Sequence, residues 1–127
     1  MFAIGEVEKI HSILIDKFGG RKGVRDFALL ESALNRPFAT FDAQELYPDP
    51  LDKAAAILES IVINHPFVDG NKRTGYVLAR LLLMANDWDI AKDQQDKYDF
   101  VIAVSKGEMR FAEIKSWLEI HAAKKAS

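Results

Sequence analysis

The chain has 127 residues, the usual size of one domain, and its 49% hydrophobic and 28% charged residues suit a soluble globule with a core. Its 17 Lys and Arg against 19 Asp and Glu leave a formal net charge of −2, which argues against a general nucleic-acid or membrane-surface binder but allows a local basic pocket. With no cysteine, disulfides, thiolate metal sites and cysteine nucleophiles are excluded.

From Glu6 to Phe18, apolar residues at Val7, Ile10, Leu14 and Phe18 follow helical spacing, and Gly19-Gly20 stops the helix. A basic turn, Arg21 to Arg25, follows. Asp26 is placed to cap a second helix, which carries Phe27, Leu30 and Leu34 and ends before Arg36-Pro37. Phe38 to Pro50 does not read as helix; it suits an extended excursion or a short hairpin, and an ordered loop of this length is more often functional than idle.

Leu51 to Asn64 forms a strong helix with a seam at Leu51, Ala55, Leu58 and Val62, and Pro66 ends it. A helix from about Asn71 to Asn86 is apolar nearly all round and belongs at the centre of a bundle. Two more are expected at Gln94 to Ser105 and Phe111 to Ala122, with Lys124-Lys125 as a solvated tail. No recurrent alternation builds a sheet. The reading is one all-α domain over 1–127, a bundle of about six helices with a short extended flap. Met1 to Glu8 lacks the basic and apolar regions of a secretory signal, and no apolar run approaches the roughly 20 residues of a membrane span, so a cytoplasmic protein is expected.

The informative stretch is His65-Pro66-Phe67-Val68-Asp69-Gly70-Asn71-Lys72-Arg73. Lys72 and Arg73 fall in the first turn of the most apolar helix, where each cation is disfavoured by roughly 0.3–1 kcal/mol. A bound anion would reverse that sign, and helix starts bind phosphate well. Gly70 permits a positive φ and a close approach of phosphate to backbone N–H groups. His65 suits a general base for a hydroxyl, and Asp69 a Mg²⁺ ligand beside phosphates. Those are the parts of phosphoryl or nucleotidyl transfer. Bland readings stand beside each: His65 capping the preceding helix, Asp69 as an N-cap, Lys72 and Arg73 in surface ion pairs. A Walker loop fails because Tyr76-Val77 follows Gly75, and a helix-turn-helix fails on its long gap and apolar second helix. His11 and His121 are isolated and read as structural or exposed; no cluster has zinc spacing.

The same nine residues resemble the signature of the Fic/Doc (Fido) family, His-Pro-Phe-x-Asp/Glu-Gly-Asn-Gly/Lys-Arg, with a full match. Phe18-Gly19-Gly20, Gly23-Val24-Arg25-Asp26, Leu29 to Leu34, Arg36-Pro37 and Glu45-Leu46-Tyr47-Pro48 resemble its death-on-curing branch, so the similarity covers about Phe18 to Trp88. The resemblance implies that His65 is the general base and Asp69 the Mg²⁺ ligand. Gly70 and Asn71, with the start of their helix, would then cradle phosphate, with Arg73 as a clamp. Phe67 would anchor the loop. The segment with Phe38, Thr40, Phe41 and Tyr47 would be the flap that aligns a target by strand-like pairing.

Lys72 stands where most of the family has Gly and transfers AMP from ATP; the death-on-curing toxins have Lys there and phosphorylate elongation factor Tu. The resemblance therefore implies a toxin kinase that uses ATP and Mg²⁺ to halt translation. AMP transfer is the close alternative, because Pro66 and Gly70 are kept as in the AMP-transferring members, and a catalytically silent nucleotide- or protein-binding module is the distant one. The family's inhibitory Ser/Thr-x-x-x-Glu-Gly/Asn helix has no counterpart here, so a cognate antitoxin protein is expected as partner, without nucleic acid or membrane.

Overall fold

Residues 2–125 are described by a computed structural model in which the periodic segments form six α-helices: α1 (Ile4–Phe18), α2 (Phe27–Asn35), α3 (Pro50–Asn64), α4 (Asn71–Met84), α5 (Gln94–Ser105) and α6 (Phe111–His121). Local chemistry sets their starts. Asp26 accepts from the Leu29 N–H at α2, and Asp49 from the Asp52 N–H at α3, where Pro50 takes the first helical position.

α3 is the axis, buried continuously from Ala54 to Val62, and α4 packs along it. Gly75 allows that approach: a Cβ there would lie 2.9 Å from Val62 Cγ2 and 3.3 Å from Ile61 Cβ. Val7, Leu30, Leu34, Phe100, Val104, Ile114 and Leu118 close the core from the other helices. Among the described residues, no helix is long and apolar enough to cross a membrane.

The expected flap is a hairpin. After a 3-10 turn at Arg36–Phe38, β1 (Thr40–Phe41) pairs antiparallel with β2 (Gln44–Glu45). Both residues of its two-residue turn, Asp42 and Ala43, have positive φ (52° and 61°), the sense that matches strand twist but without the glycine that usually relieves it. Arg36 anchors the base of the hairpin, donating to Tyr47 Oη (2.9 Å), Glu59 Oε1 (2.8 Å) and Ser60 Oγ (3.0 Å). The other Glu59 oxygen accepts from Arg110 Nε and the Phe111 N–H, tying α3 to α6. Burial alone would raise the Glu59 carboxyl, but these bonds outweigh it and hold it below its usual value.

Two expectations change. α4 ends at Met84, and the chain then forms β3 (Trp88–Ile90), which pairs antiparallel with β4 (Ala122–Lys124). Lys124 is thus a strand residue facing Trp88, its ammonium 6.0 Å from the ring centroid, and not part of a free tail. Three-residue strands are too short to display the alternation that identifies one.

Candidate active site

Residues 65–70 link α3 to α4 without regular structure of their own, so their shape depends on outside partners. Pro66 does end α3, yet His65 leaves it in the left-handed region (φ 51°, ψ 59°), not in the extended one that a following proline favours. For a residue with a Cβ that costs about 1–2 kcal/mol.

The surrounding segment 20–26 supplies the compensation. Arg25 donates from Nε to the His65 carbonyl (2.6 Å) and from Nη2 to that of Asn64 (2.7 Å). The Arg25 and Asp26 N–H groups both donate to Pro66 O, Val24 bridges to Phe67, and the Val68 N–H reaches Gly23 O (3.0 Å). His65's own ring is exposed and makes no hydrogen bond among the described residues, so it does not cap α3; Arg25 does.

α1 grips the loop from the other side. Phe67 is 1% exposed, and the His11 ring stacks on it at 4.0 Å and 6°. His11 Nε2 lies 2.8 Å from Asp69 O; a carbonyl only accepts, so this nitrogen carries the proton. In the sequence His11 stands alone, and its signal is that His11, Ile15 and Phe18 fall on one helical face.

Asp69 Oδ2 accepts from the Arg21 N–H (3.0 Å) and Oδ1 from the Gly70 N–H (2.9 Å). The Arg21 N–H first, then the Gly70 N–H, holds this exposed carboxyl below the usual carboxylate range. Asp69 is not the N-cap. Gly70 holds that position at φ 74°, and among the described residues no side chain caps α4, which leaves its first N–H groups open. Gly20 passes so close that a Cβ there would lie 2.7 Å from Asp69 Oδ2.

Asn71 is placed differently from the other expected phosphate residues. Its buried amide accepts from the Phe67 N–H (2.9 Å) and donates to Phe67 O (3.0 Å), so the side chain clamps the loop and points away from solvent. Lys72 and Arg73 are exposed and form no ion pair among the described residues. The Arg73 guanidinium instead lies 4.0 Å from the centroid of Phe18.

Asp69, Gly70, Asn71, Lys72 and Arg73 form one wall of a cleft of about 370 Å³, with Lys97, Tyr98 and Val101 of α5 opposite. That volume is within the range of small-molecule sites, about 300–1,000 Å³. His65 is exposed and is not among the residues that line the cleft. The four flap residues divide by role. Thr40 and Phe41 are exposed on the hairpin, Phe41 by 72%, whereas Phe38 packs on the core beneath Lys53 and Tyr47 is held by Arg36.

The residues fit Mg²⁺ in one way. No group of three or more metal-binding side chains exists among the described residues, so a cage built from protein alone is not offered. Asp69 is exposed, and each of its oxygens accepts one N–H, which leaves lone pairs for an ion. A single carboxylate completed by phosphates and waters is what Mg²⁺ accepts.

A family model described as the Fic/DOC family matches residues 2–83. Over 76 residues the chain is 47% identical to "Toxin Doc" of Mycolicibacterium smegmatis, covering 60% of this chain and 58% of that protein. It is 35% identical over 92 residues to "Protein adenylyltransferase Fic" of Drosophila sechellia and of Drosophila melanogaster, covering 69% of this chain and 18% of each relative. The chain therefore spans little more than half of the toxin and under a fifth of the adenylyltransferases.

Proposed function

This chain belongs to the Fic/DOC family, and from that premise we propose that it is the toxin of a toxin–antitoxin pair, acting in the cytoplasm. Its reaction is transfer of the γ-phosphate of ATP to a Ser or Thr hydroxyl of a translation factor of the elongation factor Tu kind, which halts translation. The observation that carries this reading is the start of α4. There an uncapped helix, the Gly70 turn and two exposed cations without ion pairs among the described residues face one cleft. Cations at that end are unfavourable unless an anion joins them.

In this mechanism the open N–H groups after Gly70, with Lys72 and Arg73, bind the triphosphate, and Asp69 holds Mg²⁺. The bound ion supplies neutralisation of the phosphate charge. His65 takes the proton of the target hydroxyl as that oxygen forms a bond to the γ-phosphorus. The bond from that phosphorus to the β,γ-bridging oxygen breaks, its electron pair leaves with ADP, and the target keeps the phosphoryl group. The outer edge of the hairpin presents unpaired backbone groups to which an extended target segment adds as a further strand, beside Thr40 and Phe41. A cognate antitoxin with a disordered segment that folds over the hairpin and cleft would silence the site.

AMP transfer is the second reading. It is favoured by the identity to adenylyltransferases and by the retained Pro66 and Gly70. Incubation with bacterial lysate and ATP labelled on the α- or the γ-phosphate separates the two. Labelling from γ alone establishes the kinase, labelling from α establishes AMP transfer, and no labelling leaves a silent binding module. Lys72→Gly should lower γ-transfer strongly, because a misplacement of 1 Å costs on the order of 10²-fold. Full γ-transfer in that variant would detach Lys72 from nucleotide orientation.

A further inference from the structure

We infer that Phe18 is a positioning residue for the nucleotide, holding the Arg73 guanidinium so that its N–H donors face the phosphates; this rests on the phosphate-site reading above. Phe18 is the last residue of α1 and is 51% exposed, so the core does not require its ring. Gly19, at φ 90°, turns the chain away immediately afterwards and itself lines the cleft. That turn leaves the ring free to meet the first turn of α4, where the Arg73 guanidinium carbon lies 4.0 Å from its centroid. The Lys17 ammonium is also near the ring, but farther, at 5.4 Å.

An arginine at a phosphate site is useful only if its fork is held in place, since a free side chain must be ordered each time a ligand binds. A carboxylate would hold it, but would use its donors and cancel its charge. An aromatic face does neither. A ring attracts the cation through its π face and accepts no conventional N–H···O bond, so the five N–H donors stay available to a ligand. Among the described residues Arg73 has no carboxylate partner, and its guanidinium lies over the Phe18 ring.

The reading makes Phe18 act through Arg73 alone, which a double-mutant cycle isolates. Binding of a fluorescent ATP analogue would be measured in EDTA for the unaltered chain and for Phe18→Leu, Phe18→Tyr, Arg73→Ala and the Phe18→Leu/Arg73→Ala pair. Phe18→Leu should weaken binding about two- to fivefold, as expected for an exposed cation–π contact. Phe18→Tyr should bind like the unaltered chain, and Phe18→Leu should add nothing once Arg73 is Ala. Undiminished binding by Phe18→Leu, or equal loss with and without Arg73, overturns the inference while the phosphate site stands. An unaltered chain that binds no nucleotide overturns that site and this inference with it.

Discussion

Replacing Asn71 separates two roles that one side chain could hold, a ligand for phosphate or a clamp on the loop. Its amide exchanges two hydrogen bonds with the backbone of Phe67, whose residue is 1% exposed, so water does not substitute when the amide is removed. Leaving a buried polar group unpaired costs about 1–3 kcal/mol. With two such groups, Asn71→Ala should cost about 2–4 kcal/mol after partial relaxation, a fall in Tm of about 10 °C for a domain of this size. Asn71→Asp should not rescue it. One carboxylate oxygen still accepts from the Phe67 N–H, but the other opposes the Phe67 carbonyl, where Nδ2 now donates at 3.0 Å. Urea and thermal unfolding give the stability, and nucleotide binding is measured in parallel. A variant that melts within 2 °C of the parent yet no longer binds nucleotide would refute the clamp and return Asn71 to the ligand.

His65→Ala should abolish transfer by about 10²–10⁴-fold with little change in unfolding midpoint, since the ring is exposed and bonded to nothing among the described residues; a folded variant with full activity would remove His65 from the chemistry. Asp69→Asn should weaken nucleotide binding chiefly when Mg²⁺ is present, a difference read by repeating the titration in EDTA; unchanged Mg²⁺-dependent binding would detach Asp69 from the metal. Away from the site, Arg80 donates to both oxygens of Asp89 (2.9 and 3.0 Å) and, as the largest cause, holds its carboxyl at about 2. A depressed folded pKa stabilises above the unfolded value of 3.8 and is lost as pH falls through about 2. Asp89→Asn should therefore cost roughly 1 kcal/mol at pH 7, discounted because Arg80 is partly in solvent. The gap between variant and parent in urea midpoint should close toward pH 2.

The first three helices were legible because neighbours in sequence bound them: Gly19-Gly20 after α1, Asp26 before α2 and Pro66 at the end of α3, although Pro50 was read as the last residue of the preceding loop and is the first of α3. The loop was legible because its chemistry is contiguous. What holds it was not. His11 meets Asp69, Arg21 meets Asp69 and Arg25 meets His65 across separations of 58, 48 and 40 residues, which no local pattern records. Periodicity likewise says which face of a helix is apolar but not where a polar side chain at its first turn will aim. That is why Asn71 reads as phosphate-facing in sequence and is found turned inward.

The bonds from residues 20–26 to the loop belong to no helix and to no sheet longer than a single bridge. They can therefore open without unwinding α3 or α4, and the energy of that opening is separate from that of the bundle. In hydrogen exchange, the amides of Arg25, Asp26 and Val68 should form one group that exchanges together and earlier than the middle of α3. The lifetime of an assembled His65–Asp69 arrangement would then be set by the docking of the segment after α1. Changes there would tune the fraction of molecules with a competent site while the melting temperature of the domain stays nearly still.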